Sequence, residues 1–488
     1  MLRCYVATDA QNRSTFAVLD ESSQPVDLLL SVKRDGALRL GRQIEDQLRE
    51  AIRDGALRPN ARVPSSRDLS RQLGVSRRVV VDAYEQLAAE GYLVLRQGAR
   101  PRVSDAAVNA RSAPATPAAT ALRPRFDLRP SQPDVSMFPR SVWLRSLRQA
   151  LRVIPDDELG YGDPRGVAAL RSTLADYLGR SRGVVCDPEQ ILITSGYTQG
   201  LGLVCEALAE RGAARIAVED PSNPEDGLVL ARAGLQPVPV DVDAGGLRVG
   251  ELARSGADAV TLTPAHQHPT GVVLSGERRT ELLVWLRERG AIAIEDDYDA
   301  EYRYDRTAVG ALQGLDPERV VYAGSLSKTL APALRLGWLA LPPSLLDAVC
   351  AAKLRADRGS GRIEQHAFAD FLARGEMDRH IRRMRALYRR RRDALIAALG
   401  DALPEASVSG VAAGLHVTVG LPEEDDEQTI REQASQRRIE LETLSEYRWE
   451  SEQQIPTLVL GYGQLPEPAI PAAVAELTRA VHAARARL

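Results

Sequence analysis

The sequence predicts a multi-domain chain: a small α+β module at the front, a larger α/β domain behind it, and a smaller α+β subdomain at the end. Three observations predict it. At 488 residues the chain exceeds what one hydrophobic core normally spans. Two short helical periods separated by a glycine turn stand near the front, whereas further on short apolar runs alternate with helical stretches, the pattern of a mostly parallel sheet covered by helices. Between the two patterns, residues 104–125 are rich in Ala, Pro, Ser and Thr with few charges, so they bury no core and read as a flexible linker. The expected divisions are therefore 33–103, 104–125 and 126–488, with the small subdomain from about 385 to 488.

With 44% hydrophobic and 26% charged residues, the composition excludes disordered and fibrous classes. No run of about 18 apolar residues occurs, and the first nine residues lack an apolar signal segment, so the expected place is the cytoplasm, away from membranes. Cys4, Cys186, Cys205 and Cys350 have no metal-ligand spacing. They read as free thiols, and no metal is expected. Residues 33–103 hold 15 Lys and Arg against 9 Asp and Glu, a balance of +6; since the whole chain carries −3, the rest carries −9. A basic head on an acidic body points to nucleic acid at the front.

In the front module residues 1–32 are weakly patterned, with 26–31 a short strand or a helix lead-in. From Leu40, the residues Ile44, Leu48, Ala51 and Ile52 recur at helical spacing and stop near Asp54-Gly55. A second helix is capped by Ser65 or Ser66 and turns at Gly74; a third is capped by Ser76 and opens with Arg77 and Arg78. That is a helix-turn-helix, whose last helix offers both arginines to a major groove. Residues 90–95 and the turn Arg96-Gln97-Gly98-Ala99 add a two-stranded wing. The stretch resembles the GntR family of bacterial regulators. The resemblance implies that Ser65, Arg67, Ser76, Arg77, Arg78 and the wing glycine Gly98 face double-stranded DNA. It departs from that family's Gly-x-Gly-Thr wing in reading Gly98-Ala99-Arg100-Pro101, where Arg100 is placed for a phosphate contact.

Behind the linker, strands are expected at 215–218, 259–264, 291–295 and 319–323, with a helix at 277–287. A long helix over 377–399 leads to the end subdomain, made by 408–421, a helix at 426–438, and 457–463. The arginines of 382–392 read first as a solvated helix face. In open α/β sheets ligands bind beyond the carboxyl ends of strands. Three such ends carry chemistry. Ile191-Leu-Ile-Thr194-Ser195-Gly196-Tyr197-Thr198 is a strand, a glycine turn and a helix start, a ready phosphate site. Asp296, in Ile294-Glu-Asp296-Asp297-Tyr298, places a carboxylate where it can keep a pyridine nitrogen protonated. Lys328, in Ser325-Leu-Ser327-Lys328, is poorly hydrated among Ser, Leu, Thr and Ala, which lowers its pKa and lets the neutral amine attack an aldehyde. Arg335 lies seven residues on, a bidentate cation for a phosphate that the Ser325 and Ser327 hydroxyls also reach. Ser-x-Ser-Lys alone fits a polar surface loop as well; the order of the three sites argues against that.

Over about residues 126–488 these motifs resemble the aminotransferases of the aspartate aminotransferase fold, fold type I. The resemblance implies pyridoxal 5'-phosphate as cofactor, Lys328 as its Schiff-base lysine, Asp296 as partner of the pyridine nitrogen, and Tyr298 as partner of the ring hydroxyl. Arg335, Ser325 and Ser327 become phosphate holders, and Tyr197 and Thr198 match the phosphate turn. Tyr161 matches the tyrosine that reaches the phosphate of the neighbouring subunit's cofactor. Departures are visible. His268 stands where that family has an asparagine on the ring oxygen, and either donates there or packs in the core; Asn223 stands near the place of a stacking aromatic. Val459 stands about where many aminotransferases carry an arginine that clamps a substrate carboxylate, and Arg448 is a candidate substitute. Loss of the clamp implies little or no turnover of common amino acids.

Both resemblances together point to the MocR/GabR type of GntR regulators. The type implies a homodimer that binds promoter DNA and a small-molecule effector: pyridoxal phosphate itself, an amine or an amino acid. Control of pyridoxal phosphate synthesis is the favoured reading, because the missing clamp and stacking partner leave room for the cofactor as effector. The alternative is an active aminotransferase with a DNA-binding appendage, favoured by the complete set of Asp296, Lys328 and Arg335.

Overall fold

The computed structural model describes residues 14–19, 25–34, 38–105, 124–304, 309–449 and 455–487. The chain divides into two compact units, Met1–Leu122 and Arg123–Leu488. Most of the expected linker, 106–123, and Cys4 lie outside the described residues.

In the first unit β1 (Ser14–Leu19) and β2 (Pro25–Leu30) pair antiparallel, in a stretch with little sequence pattern. α1 (Leu40–Arg53), α2 (Ser66–Leu73) and α3 (Arg77–Ala89) follow. Ile44, Leu48 and Ile52 of α1 share a core with Val80, Ala83, Tyr84 and Leu87 of α3. The cap of α2 is Ser65, whose hydroxyl accepts from the Asp68 amide at 3.2 Å; Ser76 does the same for the Val79 amide at 3.4 Å at the start of α3. Gly74, at φ 62°, makes the turn between them. Arg49 donates three hydrogen bonds of 2.8–3.0 Å to Glu90 and so ties α1 to the end of α3. β3 (Leu93–Val94) and β4 (Arg102–Val103) pair antiparallel as the wing, and Gly98 turns between them at φ 78°.

The second unit opens with β5 (Phe126–Asp127), α4 (Arg140–Val153) and α5 (Ala168–Arg182). Alternation then sets in with β6 (Ile191–Thr194), α6 (Tyr197–Glu210), β7 (Arg215–Asp220), α7 (Glu225–Arg232), β8 (Gln236–Asp243) and β9 (Gly246–Leu247). It continues through α8 (Val249–Leu252), β10 (Ala259–Leu262), α9 (Gly276–Arg289), β11 (Ile292–Asp297), β12 (Val320–Ser325) and β13 (Gly337–Ala340). These eight strands form one sheet in the order β6-β13-β12-β11-β10-β7-β8-β9. Its centre, β12 to β8, is parallel, but β13 runs antiparallel to both neighbours and β9 antiparallel to β8. The expected mostly parallel sheet is thus a mixed one. Only eleven residues without an α-helix join β12 to β13, too short a connection for a parallel crossover.

α10 (Pro343–Ala356), α11 (Arg362–Ala373) and the 27-residue α12 (Glu376–Ala402) lead to the end subdomain. There β14 (Ser407–Ser409), β15 (His416–Gly420), α13 (Glu427–Gln436), β16 (Ile439–Glu440), β17 (Glu442–Thr443), β18 (Thr457–Gly461) and α14 (Ile470–Arg485) follow. The stretch 408–421 is two paired strands, turned by Gly410 and Gly414 at φ 94° and 71°. β5 pairs with β16, so the start of this unit packs into the end subdomain.

Of the arginines of 382–392, Arg382, Arg383, Arg389 and Arg390 are exposed as expected, whereas Arg385, Arg391 and Arg392 are drawn in. Arg385 donates to the Glu301 carbonyl at 2.6 and 2.9 Å, Arg391 binds Asp134 at 2.7 Å, and Arg390 pairs with Glu467 at 3.1 Å. They tie α12 to its neighbours. Cys186, Cys205 and Cys350 are free thiols, and among the described residues no helix is long and apolar enough to cross a membrane and no cluster is able to hold a metal ion.

Candidate functional site

The carboxyl ends of the central strands open on a cavity of about 600 Å³ lined by Tyr197, Thr198, His268, Asp296, Tyr298, Ser325, Ser327, Lys328 and Arg335. The structure therefore brings together all the residues expected to hold a cofactor from within one chain. Tyr161 alone stays outside. It is 87% exposed, with the Arg358 guanidinium 5.5 Å above its ring.

Lys328 follows β12 in the loop that returns as β13. Burial lowers its pKa from the usual lysine value against the opposing pull of Asp296, Asp299 and Glu442, the direction that favours the neutral, nucleophilic amine. At one end of the cavity Gly196, at φ 112°, starts α6. A Cβ at Gly196 would lie 3.3 Å from Arg335 Nη2, so the guanidinium rests on the bare glycine beside the helix N-terminus. Gly337 backs onto the same glycine, where a Cβ would meet Gly196 Cα at 2.9 Å. A helix N-terminus, a guanidinium and the hydroxyls of Thr198, Ser325 and Ser327 form an anion site.

At the other end sits Asp296. Burial, then Asp226 and Asp297, push its carboxyl well above the usual range. Asp226, in the first turn of α7, accepts from Tyr197 Oη at 3.3 Å and from Asn223 at 3.2 Å, and burial raises it to about 7. Tyr298 Oη lies 3.0 Å from His266 Nδ1. His268 lines the cavity and packs edge-on against Tyr298, His416 and Tyr447 at centroid distances of 5.1–5.5 Å. Burial, with His416 and Lys328 close by, keeps its imidazole neutral, and its buried Nδ1 has no hydrogen-bond partner among the described residues.

An anion site, a half-buried carboxyl of raised pKa and an amine of lowered pKa between them fit pyridoxal 5'-phosphate. That group supplies an electrophilic aldehyde and an electron-withdrawing ring. Gly196→Ala should weaken its binding about tenfold, since a side chain at φ 112° is strained by about 1–2 kcal/mol and displaces Arg335. Titration of the visible band with pyridoxal phosphate measures this.

Several lining residues escaped the sequence reading: Asp226, Thr261, Arg129, Glu442 and Tyr447, together with His266 behind Tyr298. Their local sequence carries no signal; only packing brings them to the cavity.

In the first unit the residues expected to face DNA lie close together. Arg77 Nε donates to Ser66 Oγ at 3.4 Å, so the N-termini of α2 and α3 are adjacent. Arg67, Arg77 and Arg78 are exposed, and Arg78 lies 4.0 Å from Asp82. Arg100 of the wing lies 3.9 Å from Asp68, which sets the wing turn beside the first turn of α2. Gly98 faces open space.

Comparison with known proteins agrees with both halves. Residues 40–103 match the model of "Bacterial regulatory proteins, gntR family", and residues 137–446 that of "Aminotransferase class I and II". The pyridoxine biosynthesis transcriptional regulator PdxR of Corynebacterium glutamicum is 33% identical over 93% of this chain and 99% of its own length. The probable rhizopine catabolism regulatory protein MocR of Rhizobium meliloti is 34% identical over 76% of this chain and 79% of its own. Among solved structures, an archaeal alanine:glyoxylate aminotransferase is 26% identical with a TM-score of 0.68, covering 74% of this chain and 92% of that one. An enzyme alone has no use for the paired helix N-termini of the first unit. The chain therefore belongs to the GntR-family transcriptional regulators that carry a pyridoxal phosphate-dependent, aminotransferase-like domain, the group of PdxR and MocR.

Proposed function

We propose that this regulator holds pyridoxal 5'-phosphate through Lys328 and that occupancy of the site sets the DNA affinity of its head, so that the promoter it governs serves pyridoxal phosphate synthesis. The head is the winged helix of 33–103, the sensor is 126–488, and the protein acts in the cytoplasm. Asp296 faces the ring nitrogen, Tyr298 and His268 the ring oxygen, and Arg335, Ser325, Ser327, Tyr197 and Thr198 the phosphate. One observation carries the choice of effector. Away from the phosphate end, the guanidiniums lining the cavity already face carboxylates: Arg129 binds Asp127 at 2.5 and 2.9 Å, and Arg431 lies 3.3 Å from Glu446. Val459 is buried in β18, and Arg448 lies 3.6 Å from Asp220. An amino acid's carboxylate thus finds no ready bidentate partner, whereas the cofactor does. The name of PdxR supports the same choice.

A homodimer fits the exposed apolar run Leu151, Val153 and Leu159 ahead of Tyr161, an unusual group to leave in water. In such a dimer Tyr161 serves the partner's site. The test is fluorescence anisotropy of a labelled fragment from upstream of the gene, at fixed salt, with and without pyridoxal phosphate. We expect a change in Kd within the 5- to 150-fold range of ordinary allosteric coupling. An unchanged Kd, with a response to an amine or amino acid instead, overturns the choice of effector.

A further inference from the structure

Lys353, in α10, buries its whole side chain, yet it does not line the cavity and the chemistry there has no use for it. Taking an ammonium out of water is unfavourable, and an apolar residue of similar length would fill the place without that cost. What the lysine does instead is spend all three of its hydrogens. Nζ donates at 2.8 Å to Gln199 Oε1, Asp357 Oδ2 and Ser360 Oγ.

Gln199 stands in the first turn of α6, the helix whose N-terminus borders the anion site. Its Oε1 also accepts from the Ser195 amide at 2.8 Å, and its Nε2 donates to Asp357 Oδ2 at 2.7 Å. Against burial, the hydrogen bonds from Lys353 and Gln199 hold the Asp357 carboxyl below its usual range. A lysine only donates and a carboxylate only accepts, so the pair permits one orientation of the Gln199 amide: oxygen toward Lys353 and Ser195, nitrogen toward Asp357. The frame around the amide is fixed in turn. Ser360 Oγ reaches the Ile193 carbonyl of β6 at 3.5 Å, and Asp357 Oδ1 accepts from the Gly359 amide at 2.8 Å. Next to Ser195 comes Gly196, at φ 112°, on whose bare α-carbon Arg335 rests. A chain of contacts thus runs from Lys353 through Gln199 to the backbone that shapes the anion site.

We propose that Lys353 and Asp357 are a positioning pair for the phosphate: a buried ion pair that clamps the Gln199 amide and so holds the Ser195-Gly196 turn where the N-terminus of α6 and Arg335 meet one anion. This rests on the cofactor reading above.

The test compares pyridoxal 5'-phosphate with pyridoxal, which has the same aldehyde and ring without the phosphate. Both are titrated into the full-length, cofactor-stripped protein at fixed pH, and the visible band is read. Lys353→Met should raise the Kd of pyridoxal phosphate about tenfold and leave that of pyridoxal within about twofold. Asp357→Ala should raise the first by at least about threefold and also spare the second. Gln199→Leu breaks the link itself, so adding Lys353→Met to it should weaken binding no further. An unchanged near-ultraviolet circular dichroism spectrum certifies folding, and Asp357→Ala serves if Lys353→Met fails that check. A wild-type Kd for pyridoxal phosphate in the folded variants overturns the proposal. So does equal weakening of both ligands, which a general loosening of the fold would give, or a loss that adds to that of Gln199→Leu. An unmodified protein in which neither ligand raises a visible band overturns the cofactor reading and this proposal with it.

Discussion

Lys328→Ala abolishes the visible band of the pyridoxal phosphate-loaded protein and lets the cofactor leave on dialysis. The expectation is unusually sharp because the chain contains three lysines: Lys33, Lys328 and Lys353. Lys33 is exposed in the first unit. Lys353 is fully buried; burial lowers its pKa as well, against the pull of Asp357, but its amine is held at 2.8 Å by Gln199, Asp357 and Ser360 at once and does not line the cavity. Lys328 faces the cavity with its pKa lowered by burial. Borohydride reduction followed by peptide mapping should place the label on Lys328, and alanine there should leave the thermal melt nearly unchanged, since the amine packs in no core. A band of full intensity in Lys328→Ala would refute the assignment.

Replacing Arg77 and Arg78 together by alanine weakens binding to the promoter fragment by about 2–6 kcal/mol, roughly 30-fold or more, and leaves the cofactor spectrum intact. Both side chains project from the first turn of α3, next to the N-terminus of α2, where helix dipoles already favour an anion. The salt dependence separates their roles. If both neutralise phosphates, the slope of log K against log salt falls by about two; if they read bases, the slope changes less and discrimination between sequences is lost. Unaltered affinity at moderate salt would show that α3 is not the recognition helix. Arg77 and Arg78 lie in a different compact unit of the chain from Lys328 and do not line the cavity.

Much of this was legible in the residues themselves. Ser76, Gly74 and the apolar spacing of α1 to α3 announce their helices because caps, turns and amphipathic faces are local devices. Gly196, Asp296 and Lys328 are legible for the same reason: each stands where an apolar strand stops, and strand ends are where an α/β sheet binds its ligand. β13 was not legible, because four residues inside a loop-like stretch carry too little period to register, and its direction depends on the connection before it.

What the sequence determined by itself is therefore the order of the parts and the chemistry each strand end carries. Tertiary structure alone decided which side chains meet across elements. Asp226 comes to Tyr197 from 29 residues away, His266 to Asp299 from 33, and Arg385 to Glu301 from 84. Such pairs have no period or cap to mark them. They follow from how strands stack and which helices cover them, and they determine which polar groups are already paired.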